Sequence, residues 1–109
     1  MTAITMFCDK ESKVMIGFEI KGHAGFSKHG KDIVCASLSA LAINVQNSIE
    51  KFCEDRFDQS LGENGGYMKF MLLDKPSHDA SLLLASAYLG FKEIADEYEK
   101  FVILKIKEV

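Results

Sequence analysis

His23 and Cys35 are the residues of this chain whose types and spacing suit chemistry. The histidine lies in Gly22-His23-Ala24-Gly25, and the cysteine in Asp32-Ile33-Val34-Cys35, where an apolar helical pattern begins. With Asp32 as N-cap, Ile33, Val34 and Cys35 fill the first turn, whose N–H groups lack intrahelical partners. The positive end of a helix favours a thiolate over a thiol, and a nearby imidazole takes the thiol proton. That pairing suits a cysteine nucleophile with histidine as general base and then general acid. Each unit of thiol pKa depression corresponds to about 1.4 kcal/mol. A helix end supplies about 0.3–1 kcal/mol, so a second contributor is needed, and His23 is the candidate. The helix-start amides are also candidates to hold a developing oxyanion.

Around this pair the residue types leave alternatives open. Asp32 either orients His23 or simply caps the helix. Ser39, one turn beyond Cys35 and on the same side, either hydrogen-bonds a substrate or the loop, or allows close packing. Gly22, Gly25 and Gly30 make the loop permissive, as a lid that orders over a peptide or as a plain flexible connection. Lys28, His29 and Lys31 read as a solvated loop. Cys8 and Cys53 read as core or near-core residues, and His78 as a surface residue. A zinc site built from His23, His29 and Cys35 lacks the paired ligand spacing of such sites. No glycine-rich phosphate loop of a recognised kind is present. Neither a metal nor an organic cofactor is called for.

The elements that must position these residues read as follows. Thr2 to Phe7 is a short β-prone run, and Asp9 to Ser12 a turn. Apolar residues at Val14, Ile16, Phe18 and Ile20 alternate as in a strand with one buried face, so the two segments predict a hairpin. Val34, Leu38, Leu41, Val45, Ile49 and Phe52 recur at helical steps, predicting a helix over 33–54. Phe57 to Leu61 is a weak strand, the Asn64-Gly65 pair a turn signal, and Tyr67 to Leu73 a stronger strand. Ser77 is the expected N-cap of a second helix, whose apolar pattern spans Leu82 to Tyr98. Phe101 to Lys107 closes the chain as a strand. The order is ββαββαβ: an α+β two-layer domain with two helices on one face of a mostly antiparallel sheet.

Composition bounds the function. The 109 residues predict one domain, and 48% hydrophobic residues supply a core. A net charge of −3 disfavours general binding to nucleic acid and tolerates a cationic peptide. Three cysteines without regular spacing do not form a disulfide framework. No run approaches the roughly 18 apolar residues of a membrane span. The N-terminus lacks the pattern of a signal peptide, so the cytoplasm is the expected compartment.

The segments Gly22-His23-Ala24-Gly25, Gly30-Lys31-Asp32-Ile33-Val34-Cys35-Ala36 and Ser39-Ala40-Leu41, with Gly65-Gly66-Tyr67 and the final helix and strand, resemble one family across essentially the whole chain. It is the bacterial ribosomal-processing cysteine protease family, Prp. The resemblance implies a cytoplasmic, cofactor-free endopeptidase that forms a homodimer and has a flexible loop across its site. The implied substrate is the N-terminal extension of ribosomal large-subunit protein twenty-seven, removed in support of ribosome assembly. By position, Cys35 is the implied nucleophile and His23 the base, with Asp32 and Ser39 at supporting positions. Ser37 stands where alanine is expected, a small-for-small departure. The competing readings are a non-catalytic ribosome-associated peptide-binding module and, third, a thiol-regulatory redox domain.

Overall fold

Alternating apolar residues and well-placed caps fold locally much as their patterns dictate. The computed structural model describes residues 1–28, 32–63 and 65–109. His29, Gly30, Lys31 and Asn64, which carry part of the basic loop, one loop glycine and half of the turn signal, lie outside the described residues. The elements are β1 (Thr2–Cys8), β2 (Met15–Lys21), α1 (Ile33–Phe52), β3 (Phe57–Leu61), β4 (Tyr67–Leu72), α2 (His78–Glu97) and β5 (Val102–Glu108). The sheet order is β3-β4-β2-β1-β5, antiparallel except for the β1–β5 pair. The expected α+β fold is therefore the observed one.

Turn chemistry starts the fold. The Asp9 carboxylate accepts from the amides of Glu11 and Ser12 at 3.2 and 2.8 Å, and Lys13 adopts φ 62°, which brings β2 back along β1. β2 and β3 are both antiparallel to β4, so α1 joins two strands running the same way. By the same count α2 links β4 to a co-directional β5. Two such crossovers lay both helices on one sheet face. Their apolar stripes, Val34, Leu38, Ala42, Val45 and Ile49 of α1 and Ala80, Leu84, Ala87, Phe91 and Ala95 of α2, meet Ile4, Met6, Phe18 and Phe70 of the sheet. The Phe18 ring stacks on Phe70 (5.8 Å between centroids) and meets the Phe91 ring near its edge (5.6 Å). Complete burial of each such side chain stabilises the fold by about 1.5–3 kcal/mol. A Cβ at Gly90 would lie 2.8 Å from Leu41 Cδ1, so a glycine lets the helices approach closely.

Two sequence expectations are corrected. Ile16 does not keep the inward alternation of Phe18 and Ile20: Phe7 pairs with Gly17 but Cys8 pairs with Met15, leaving Ile16 as the extra residue of a β-bulge. Met15 packs on the core in its place. Phe52 is 72% exposed, because α1 ends there and the place beside Phe70 is filled by Phe57, at 4.9 Å. Cys53 then turns into extended backbone while its N–H still bonds Ile49 O at 3.0 Å. At the second helix Ser77 is the N-cap as expected, its Oγ accepting from Ala80 N at 3.1 Å.

Gly17, beside the bulge, has no room for a side chain. A Cβ there would enter the Phe70 carbonyl oxygen and lie 2.6 Å from Met71 Sδ. Since strand backbone must shift to relieve it, Gly17→Ala is expected to destabilise by about 1–3 kcal/mol. The check is a lower urea midpoint at unchanged m-value.

Candidate active site

β2 delivers the chain to the loop through Gly22, whose φ of 88° and contact with the N-terminal strand both require glycine. A Cβ at this position would sit 2.6 Å from the Met1 carbonyl oxygen. Gly22 N–H donates to Gly66 O at 2.8 Å, tying the loop to the turn between β3 and β4. The His23 imidazole then rests on Gly66: a Cβ at Gly66 would stand 3.0 Å from Nε2 and 3.5 Å from Cε1. Ala24 follows, 2% exposed, with its methyl in the core and its N–H donating to Cys35 Sγ at 3.2 Å. Gly25 takes φ 74°, and the Phe26 ring meets Tyr98 and Phe101 edge-on at 5.7 and 5.3 Å. Gly22 to Lys28 contains neither helix nor strand, as expected, yet side-chain and main-chain contacts anchor it at several points.

Asp32 is both the helix cap and the anchor of that loop. Its Oδ1 accepts from Val34 N and Cys35 N, both at 3.0 Å. Its Oδ2 accepts from Phe26 N at 3.0 Å and Ser27 N at 3.4 Å. The side chain is buried, at 8% exposure. Burial pushes its pKa up, but the amides of Cys35, Phe26 and Ser27 and the Cys35 side chain together outweigh it, holding the carboxyl below its ordinary value. Of the two roles left open by the sequence, capping is observed. The expectation that helix-start amides stand ready for an oxyanion is corrected at Val34 and Cys35, because Asp32 already occupies them.

His23 and Cys35 face one cleft of about 930 Å³, with Asp32 and Ser39 in its wall. The cleft runs between the start of α1 and the β2–β4 side of the sheet. Ile20, Leu38, Ala42 and Met68 line it with apolar surface, and Glu63 and Gly65 reach it from the β3–β4 turn. Ser39 is exposed there, one turn along α1 from the partly buried Cys35. Cys8 is buried and Cys53 partly buried, as expected, and neither lines the cleft. Burial, then the charges of Asp55 and Asp79, raise the Cys53 pKa, which keeps that thiol protonated. His78 is exposed at the start of α2 beside Asp79. The third ligand of the disfavoured zinc site, His29, lies outside the described residues. Sequence reasoning missed the roles of Gly66 and of the Ala24 amide. The only signal for Gly66 was the Gly-Gly pair; main-chain donors leave no signature in residue types.

The chain resembles known proteins over nearly its full length. A family described as "Cysteine protease Prp" matches residues 1–103. The ribosomal processing cysteine protease Prp of Staphylococcus aureus (strain Mu50 / ATCC 700699) is 31% identical over 86 residues, covering 79% of this chain and 81% of that protein. Its counterpart in Bacillus subtilis (strain 168) is 31% identical over 91 residues, covering 80% and 81%. A crystal structure of the S. aureus protease with a covalently linked product peptide superposes with a TM-score of 0.92 at 27% identity, covering 98% of this chain and all of that one.

Because Asp32 has a lowered folded pKa, its stabilisation is complete above the unfolded value and is lost as pH falls through the folded one. Asp32→Asn keeps one acceptor oxygen and points an NH₂ at amide donors. Losing the two amide bonds on one oxygen is expected to cost about 3 kcal/mol or more near pH 7. It should also flatten the acid limb of stability below about pH 4, measured by urea unfolding from pH 3 to 7. Gly66→Ala should displace the His23 ring, shifting its imidazole NMR signals. Turnover in any reaction that uses this imidazole should fall roughly tenfold or more, with little change in melting temperature.

Proposed function

The chain belongs to the cysteine protease Prp family and is a cysteine protease, and on that premise we propose that it is an endopeptidase removing the N-terminal extension of ribosomal large-subunit protein twenty-seven. In this reading its 109 residues work as one domain, in the cytoplasm, as a homodimer and without a cofactor. The observation that carries the proposal is the meeting of His23 and Cys35 in one cleft, at the capped start of α1. Support for the substrate comes from the relatives' description as ribosomal processing proteases. Free thiols at Cys8, Cys35 and Cys53 suit a reducing compartment.

Cys35 is the nucleophile and His23 the base. The Cys35 proton passes to His23, and Sγ bonds to the scissile carbonyl carbon as the carbonyl π pair moves onto oxygen. Collapse of that oxyanion breaks the C–N bond, and His23 returns the proton to the leaving amine. Water then attacks the thioester with its proton passing to His23, and breakage of the C–S bond releases a carboxylic acid product and restores the thiol. Asp32 holds the loop and helix start in register. Ser39, in the cleft wall, supplies a hydroxyl to the peptide.

The test is incubation with a peptide spanning the extension and the residues that follow, read by mass spectrometry. Wild type is expected to yield two products from a single cut. Cys35→Ala and Cys35→Ser should abolish cleavage with melting temperature preserved, and His23→Ala should lower turnover by roughly 10²–10⁴-fold. Binding of intact peptide without cleavage by the wild type would identify a non-catalytic peptide-binding module instead.

A further inference from the structure

We propose that the main-chain N–H of Ala24 is the site's catalytic hydrogen-bond donor, holding the Cys35 sulfur before attack and the oxyanion after it. This rests on the protease reading above. The amide stands 3.2 Å from Sγ, so it already contacts a reacting atom. Three amides of the helix start are already engaged: Val34 N and Cys35 N donate to Asp32 Oδ1, and Ala36 N donates to Asp32 O at 3.0 Å as the first intrahelical bond. The Asp32 charge also answers the positive end of the helix, leaving less of that field for the sulfur.

The donor is fixed before the reaction begins. The Ala24 methyl is in the core, Gly22 and Gly25 bend the chain on either side of it, and Phe26 and Ser27 are anchored to Asp32 Oδ2. A donor built in this way needs no reorganisation as charge develops. When Sγ bonds to the carbonyl carbon, the sulfur loses its negative charge and becomes a poor acceptor. The electron pair that leaves the C=O bond places that charge on an oxygen two bonds from Sγ. With the nitrogen held in place, its hydrogen is shared increasingly with that oxygen as the charge leaves the sulfur, and the bond is stronger in the transition state than before it, as catalysis requires.

The test replaces the Ala24 amide with an ester by putting lactic acid at position 24, which keeps the side chain and removes only the N–H. Turnover of the extension peptide is compared with Cys35 alkylation by iodoacetamide, which forms no oxyanion. Expected is a roughly 10²–10³-fold loss of kcat with KM changed less than about threefold and alkylation slowed less than about tenfold. Wild-type kcat in a folded ester protein overturns the assignment while the protease reading stands. Equal losses in cleavage and alkylation overturn the oxyanion role. A wild type that leaves the peptide uncut overturns the protease reading and this assignment with it. Should the ester protein fail to fold, ¹⁵N-labelled wild type is titrated with an aldehyde analogue of the peptide. A downfield shift of the Ala24 amide proton, with Val34 and Cys35 amides unmoved, is the expected result, and the reverse pattern overturns it.

Discussion

A buried carboxylate accepting four backbone amides is the interaction on which this site depends. Asp32 receives Val34 and Cys35 on one oxygen and Phe26 and Ser27 on the other. An unpaired charge at this depth would cost several kcal/mol, whereas hydrogen bonds to a charged group contribute about 1.5–3 kcal/mol each. The ionised side chain therefore settles two geometries together: where α1 begins, and where the preceding loop folds back. The meeting of Ala24 with Cys35 follows from both.

The same carboxylate has an electrostatic consequence for the sulfur. A bare helix start would offer its positive end to Cys35, but here that end faces an anion. Capping and thiolate stabilisation draw on the same amides, and Asp32 has taken them. What the helix gives up, the loop returns through one N–H, held by glycines at φ 88° and 74° and by an alanine methyl in the core. The β3–β4 turn completes the arrangement from the other side, with Gly66 binding the loop through its carbonyl oxygen and supporting the His23 ring on its bare Cα.

Features governed by neighbours in sequence were legible in it. The N-caps Asp32 and Ser77, the Asp9 turn and the stripe from Val34 to Ile49 follow from local physics, and the predicted ββαββαβ order followed from them. Features set by distant partners were not. The bulge that turns Ile16 out of the pattern depends on the register between β1 and β2. The exposure of Phe52 depends on Phe57 filling the place beside Phe70. At the site, the pairing of His23 with Cys35 in one cleft and the capping role of Asp32 were readable from residue types. The bed of Gly66 beneath His23 was not, because it requires the hairpin to return to the end of β2. The Ala24 donor was hidden for a different reason: every residue but proline carries an N–H, and only the fold aims one.

The cleft is a continuation of the core that its own residues do not fill. Phe18, Phe70 and Phe91 occupy the centre, while toward Cys35 the lining shrinks to Ala36 and Ala42 beside Ile20, Leu38 and Met68. Apolar surface left open here gains about 25 cal/mol per Å² when a peptide side chain covers it. Binding at this place draws on the hydrophobic burial that folds the chain. The Asp32 carboxylate does not compete for a ligand's hydrogen bonds, since both of its oxygens accept main-chain amides, whereas Ser39 stays exposed in the wall. Under the protease reading, a peptide seated by an apolar side chain would be carried to the sulfur, and the loop that helps shape the cleft also supplies the amide beside that sulfur.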